Sequence, residues 1–171
     1  MKLNLGCGKR HLVGYTNVDE IEPADKLVTL TDTPWPWDDS SVDEIYMRNV
    51  MEHFADPDAR RVMAECWRVL KPDGLLHIIV PHGMGKLAHL PSHLSFWTIS
   101  VFNAYTGRDE MHNEFMLGVE KQLFRKVSLR YRIFDRWATW LDTIASRYPV
   151  AWEASGILPP STVDWKVKAI K

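Results

Sequence analysis

Apolar residues arrive along this chain in short bursts, and the spacing inside each burst sets the element it predicts. Residues 2–5 (KLNL), 15–18 (YTNV) and 26–30 (KLVTL) are brief runs bounded by glycine or polar residues, and each reads as a strand. TDTPWPWDDSSVD, with two prolines ahead of Asp, Asp, Ser and Ser, reads as loop, and DEIYMRN at 43–49 as a fourth strand. The period then lengthens. Val62, Cys66, Val69 and Leu70 recur at helical spacing, with Asp56 suited to the N-cap and Pro57 to the first helical position. Pro72-Asp73-Gly74 stops that helix, and LLHIIV at 75–80 is a fifth strand, apolar enough to be covered on both faces.

Beyond Pro81 the pattern loosens. Glycines and a proline interrupt HGMGKLAHLPSHLSFW, which predicts a long loop, and 83–120 is expected to form a lid-like insertion. Leu123, Val127, Leu129, Tyr131 and Ile133 take alternate positions and predict a strand. DRWATWLDTIASRY suits a helix. Val163, Trp165, Val167 and Ala169 then alternate with Thr162, Asp164, Lys166 and Lys168 in a last strand with one solvated face. Strands alternating with helix and loop predict an α/β fold with a mostly parallel sheet, in one domain spanning 1–171.

Composition acts by exclusion. A hydrophobic share of 46% against 25% charged residues fits a chain that buries a core. Net charge near −1 supplies no field for nucleic acid or an anionic membrane. The basic run KQLFRKVSLRYR alternates its charges with apolar residues, as the solvated face of a strand does. Cys7 and Cys66 lie far apart in unlike patterns and suggest no disulfide, so a reduced, cytoplasmic setting is expected. No apolar run is long enough to span a bilayer.

The candidate chemistry sits at strand ends, where open parallel sheets bind ligands. The first strand ends at Gly6-Cys7-Gly8, the second at Asp19, and the third just before Asp32. Glycine lets the backbone turn and a ligand approach, and the two carboxylates can accept from ribose hydroxyls and an adenine amino group.

LNLGCG, NVD, TDTPWPWDDSSVDEIYMRNVMEHF and ECWRVLKPDGLLHIIVPH together resemble the class I S-adenosylmethionine-dependent methyltransferases, of the branch with a Gly-Cys-Gly loop. The resemblance covers residues 3–82. It implies a Rossmann-like seven-stranded sheet in the order 3-2-1-4-5-7-6, flanked by helices, with STVDWKVKAI as an antiparallel seventh strand beside the fifth. It also implies that Gly6 and Gly8 face the methionine part of the cofactor, with Asn4 and Cys7 in the same strand end. Asp19 would hold the ribose, Asp32 and Thr33 the adenine rim, and Asn49 and His53 the space near the sulfonium. Glu52 and His53 match the family's Glu-His pair, and 83–120 would lie on the acceptor side.

Two features depart from the pattern. Arg10 stands where a third glycine is common, and Gly6 to Thr16 leaves eleven residues, too few for a full crossover helix. A short turn is expected instead. The same features argue against a nicotinamide dinucleotide, which needs the third glycine and a helix N-terminus under its pyrophosphate.

A general base could come from His53 or His82, with His89 and His93 as further candidates; the plainer reading of His82 is a loop histidine that packs or hydrogen-bonds. His89 and His93 have metal-ligand spacing, but Pro91 divides them and no third ligand is evident, so no metal site is expected. Trp35 and Trp37 could wall the adenine edge or simply cover the sheet. Methyl transfer to a small-molecule acceptor is the first expectation. A cofactor-binding partner subunit without turnover is the second, and a nicotinamide oxidoreductase the third.

Overall fold

The computed structural model describes residues 1–107, 123–133, 139–156 and 158–171. Its strands are β1 (Lys2–Leu5), β2 (Thr16–Asp19), β3 (Lys26–Leu27), β4 (Val42–Arg48), β5 (Leu70–Pro81), β6 (Phe124–Arg132) and β7 (Thr162–Ala169). They form one sheet in the order β3-β2-β1-β4-β5-β7-β6. The pairs from β3 through β5 are parallel, and β7 runs antiparallel to both β5 and β6. The helices are α1 (Asp56–Val69), α2 (Ile99–Tyr105), α3 (Thr139–Arg147) and α4 (Pro149–Ser155).

Strand alternation divides this sheet into two unlike faces. Leu3, Leu5, Ile45, Met47, Leu76, Ile78, Val163, Trp165 and Val167 are fully buried and share one core with Val62, Met63 and Cys66 of α1 and Phe102 of α2. Cross-strand registry keeps them in rows: Leu5 faces Met47, Met47 faces Ile78, and Ile78 faces Trp165. Most of the intervening residues on β4, β5 and β7 are only half-buried, and many of them are polar. Tyr46 sits opposite His77, whose ring meets it edge to face at 5.0 Å, and His77 Nε2 lies 2.9 Å from Asp164. The fifth strand is therefore sealed on one face only, correcting the expectation of two. Leu75, His77 and Ile79 remain half-buried on the second face, where polar partners replace a helix.

The crossover from β1 to β2 carries no helix, as its length requires. Two buried asparagines hold it. Asn4 Nδ2 donates to the Arg10 carbonyl and to Asn17 Oδ1, both at 2.8 Å, and Asn17 Oδ1 also accepts from the Leu12 amide at 2.8 Å. Asp25 Oδ2 in turn accepts from the Asn17 amide at 2.8 Å and from its Nδ2 at 2.9 Å. These bonds satisfy buried groups that helical packing would otherwise cover.

Helix α1 starts one residue earlier than the sequence predicts. Ala55 is the N-cap, with no side-chain capping bond, and Asp56 is the first helical residue. Asp56 instead pairs with Arg60 one turn along, where a carboxylate also favours the helix N-terminus. Trp35 and Trp37 are buried, edge to face with centroids 6.0 Å apart, in a loop clamped to α1. Glu65 Oε2 accepts from the Trp35 amide at 2.6 Å, while Arg68 donates to the Trp35 and Trp37 carbonyls at 3.1 and 3.0 Å.

The outer edge of β6 is closed by side chains from α3. Ser146 Oγ accepts from the Tyr131 amide at 2.8 Å and Asp142 from the Ile133 amide at 2.7 Å, which blunts an otherwise open strand edge. The region expected to be loop beyond Pro81 contains a short turn at Lys86–His89 and helix α2; its remainder, 108–120, lies outside the described residues. The first residues of the predicted helix over 135–148 fall outside them as well.

Candidate functional site

At the C-terminal ends of β1, β2 and β4 lies a cavity of about 380 Å³. Gly6 and Gly8 form one wall, Asp19 and Glu20 a second, residues 28–31 a third, and Asn49, Val50, His53 and Phe54 the last. It occupies the crevice beyond the strand ends where the chain order reverses about β1.

The two glycines serve different needs. Gly6 has φ +63°, and a Cβ there would come within 2.4 Å of Val50 Cγ2, so glycine is what allows Val50 to close against the strand end. Gly8 has φ +48° and open space where its Cβ would be, which leaves the backbone free to meet a ligand. Cys7 between them is buried, its amide donates to the Val18 carbonyl at 3.0 Å, and burial pushes its thiol up from the ordinary value. It packs inward and does not line the cavity.

Asp19 ties the glycine loop to β2. One carboxylate oxygen accepts from the Gly8 amide at 2.7 Å, and the other from the Glu20 amide at 2.9 Å. The latter oxygen also accepts from the Ile21 amide at 3.3 Å, so Oδ2 is the one with capacity for a further donor, and the carboxylate lines the cavity. On the far wall Asn49 holds φ +56°, a conformation that asparagine tolerates better than most residues. Its amide donates to the Ile79 carbonyl at 2.9 Å, so this turn is fixed by β5.

Of the residues marked from sequence, Gly6, Gly8, Asp19, Asn49 and His53 are brought together around the cavity. Asn4 lies beneath it, its side chain spent on the crossover. Asp32 and Thr33 are exposed and outside the lining. Strand β3 stops at Leu27 rather than Leu30, so Val28, Thr29, Leu30 and Thr31 take the wall that the longer strand would have assigned to Asp32 and Thr33. Val50 and Phe54 were missed too. They flank a Glu-His pair and carry no polar signal.

The two candidate bases part company. His53 is exposed at the cavity wall, and its Nδ1 lies 3.0 Å from the Ser92 carbonyl. His82 is fully buried away from the cavity. Its Nδ1 accepts from the Met84 amide at 3.2 Å, which leaves Nε2, 2.8 Å from Glu153 Oε1, as the donor. Glu153 also accepts from the Tyr131 hydroxyl and from the Ile99 amide at 3.0 Å. Burial pushes the Glu153 carboxyl up, but the hydrogen bonds from His82 and Tyr131 outweigh it and hold it below its ordinary value. His82 is thus a strut between β5, β6, α2 and α4. The tryptophans likewise belong to packing, with Trp35 Nε1 donating to the Leu30 carbonyl at 2.9 Å behind the cavity wall.

A crevice of this kind, with paired glycines at β1 and a carboxylate at the end of β2, is where an open α/β sheet takes a ligand. Residues 3–78 match the model of a family described as a methyltransferase domain. No curated protein sequence matches the chain. Among solved structures it is similar to a S-adenosylmethionine-dependent methyltransferase from Archaeoglobus fulgidus, at 13% identity and TM-score 0.62, over 98% of this chain and 85% of that one. A proposed methyltransferase from Bacillus halodurans aligns at 15% identity and TM-score 0.61, over 99% and 92%. A complex between a methyltransferase activator from Haloferax volcanii and a proposed methyltransferase aligns at 15% identity and TM-score 0.58, over 99% and 82%. Residues 3–78 thus carry a methyltransferase-domain match, and the chain as a whole has the fold seen in S-adenosylmethionine-dependent methyltransferases. Among the described residues no helix is long and apolar enough to cross a membrane.

Proposed function

We propose that this enzyme methylates a small-molecule acceptor, with S-adenosylmethionine held in the cavity at the ends of β1, β2 and β4. The observation that carries the reading is the convergence of Gly6, Gly8, Asp19 and Asn49 on one cavity. In it Asp19 accepts from the ribose hydroxyls, the backbone at Gly6 and Gly8 lies along the methionine part, and residues 28–31 flank the adenine. When bound, the sulfonium supplies an activated methyl carbon, so the chain has chiefly to align an acceptor and exclude water. Asn49 and His53 stand on the wall where an acceptor would approach, and His53 is the nearest candidate base. A near-neutral surface supports a small acceptor over a nucleic acid.

Titration calorimetry with S-adenosylmethionine, S-adenosylhomocysteine and NAD tests the cofactor assignment. Binding of both adenosyl compounds with none of NAD is the expected result, and preference for NAD would overturn it. Release of S-adenosylhomocysteine across a panel of small acceptors tests turnover. A second reading, a cofactor-binding subunit that needs or serves a partner, is favoured by the sequestration of His82 in its strut. Cofactor binding without turnover of any acceptor would select it.

A further inference from the structure

Behind His53 the chain is laced to the segment that follows the Lys86–His89 turn. The Leu94 and Ser95 amides both donate to the Glu52 carbonyl, at 2.7 and 3.2 Å, and Ser95 Oγ donates to the Met51 carbonyl at 3.0 Å. This lacing brings His93 against His53, edge to face with ring centroids 4.9 Å apart. His89 is left outside, exposed against Phe96, because the turn ends before Pro91. The histidine pairing suggested by spacing is therefore replaced by one that spacing does not show.

Glu52 completes the group. It is 1% exposed; the Asn49 side chain approaches its carboxylate, but neither oxygen makes a hydrogen bond of ordinary geometry. The Nδ1 atom of His93 is likewise buried without a partner. One donor atom from each of Glu52, His53 and His93 lies within 4.8 Å of the other two. A buried carboxylate left unpaired is costly, and neither imidazole beside it turns an N–H onto it at bonding distance. A cation shared by all three neutralises the carboxylate and gives one atom of each residue a partner.

We propose that Glu52, His53 and His93 bind a divalent transition metal of the zinc class at the wall of the cofactor cavity. Two imidazole nitrogens and one carboxylate are borderline donors that suit zinc, whereas calcium and magnesium favour oxygen alone. Two histidines with one acid form a set that leaves a fourth position open. His53 has the outer support such ligands carry: its Nδ1 donates to the Ser92 carbonyl at 3.0 Å, leaving the lone pair on Nε2. Ligands of a tetrahedral zinc stand about 3.4 Å apart, so small side-chain rotations close the present spacing. His53 also lines the cavity, so the fourth position is within reach of an acceptor's oxygen or sulfur. With metal bound, the ion takes over at that wall from His53, whose Nε2 is then no longer free to act as a base. That last role rests on the methyl-transfer reading; the metal site does not.

The test is Co²⁺ and Zn²⁺ titration of the full chain, read by visible absorption and calorimetry. One equivalent of Co²⁺ with the intense bands of a four-coordinate ion, displaced by one equivalent of Zn²⁺, is expected. Glu52→Gln and His93→Ala should each weaken binding on the order of 100-fold, at least the loss seen when only an outer-shell partner is removed. His89→Ala should leave it unchanged. Far-ultraviolet circular dichroism checks that each variant is folded, and if Glu52→Gln is not, His93→Ala decides alone. Pale, six-coordinate Co²⁺ spectra, no saturable binding, or equal losses in His89→Ala would overturn the proposal. S-adenosylmethionine binding is measured in parallel: intact cofactor binding without metal sinks this inference alone, and metal binding without cofactor sinks the methyl-transfer reading alone.

Discussion

The Gly8 amide donates to Asp19 Oδ2 across 2.7 Å, so the glycine loop of β1 and the acid that ends β2 form one structural unit. Asp19 therefore has two tasks, shaping the loop and facing the cavity. Asp19→Ala removes both, whereas Asp19→Asn keeps a carbonyl oxygen for Gly8 while losing the charge and the acceptor for the Glu20 and Ile21 amides. Calorimetry should show S-adenosylmethionine affinity falling on the order of 10–100-fold in the alanine variant, the range for hydrogen bonds to a charged group. A smaller loss is expected for asparagine. Equal affinity in wild type and alanine variant would remove Asp19 from the site.

Gly6 and Gly8 should respond differently to the same added methyl group. Gly6→Ala drives a Cβ to 2.4 Å from Val50 Cγ2 and strains a backbone at φ +63°, so a loss of about 2–4 kcal/mol in urea unfolding is expected. Val50→Ala in the same chain should recover the steric part of that loss and leave the strain. Gly8→Ala meets no atom within 4 Å, so about 1 kcal/mol of strain is its stability cost, while cofactor binding falls sharply because the methyl occupies ligand space. Parallel behaviour of the two variants would refute this division.

Much of this architecture is readable from period alone. Residues 2–5 and the alternation from Val163 to Ala169 give strands at the expected places, and the eleven residues from Gly6 forbid a crossover helix. The misplaced parts share a cause: they depend on partners far away in sequence. KLVTL has strand composition throughout, yet β3 pairs only at Lys26 and Leu27, and the pocket wall follows that early stop. LLHIIV is apolar enough for two covered faces, but Asp164 and Tyr46 give His77 polar company on one of them. His93 joins His53 through bonds linking Ser92, Leu94 and Ser95 to the 51–53 turn, and His82 meets Glu153 through α4; neither separation carries a local signal.

Arg68 is placed to show that the tryptophan loop is held by geometry rather than charge. Its guanidinium reaches the Trp35 and Trp37 carbonyls and the Glu65 carboxylate together. A lysine ammonium can keep the ion pair but cannot span the same fork. Arg68→Lys should therefore cost nearly as much as Arg68→Ala, about 2 kcal/mol in chemical denaturation, with tryptophan fluorescence shifting to the red. A lysine variant indistinguishable from wild type would show that charge alone suffices.

The strut of His82, Glu153 and Tyr131 predicts an acid-sensitive fold. Glu153 lies below its ordinary value of 4.5 in the folded chain, because hydrogen bonds outweigh the opposing effect of burial. A carboxyl depressed on folding contributes stability that is fully present above its unfolded value and lost as pH falls through its folded one. Unfolding free energy should thus decline below about pH 4.5 more steeply in the wild type than in Glu153→Gln, which has no proton to gain. At neutral pH, Glu153→Ala leaves the His82 and Tyr131 donors buried without an acceptor, and about 3 kcal/mol should be lost. Because His82 stands apart from the cofactor cavity, a His82→Gln variant that still folds should keep its affinity for S-adenosylmethionine while stability drops. Loss of cofactor binding at unchanged stability would return His82 to the site and undo its assignment as a strut.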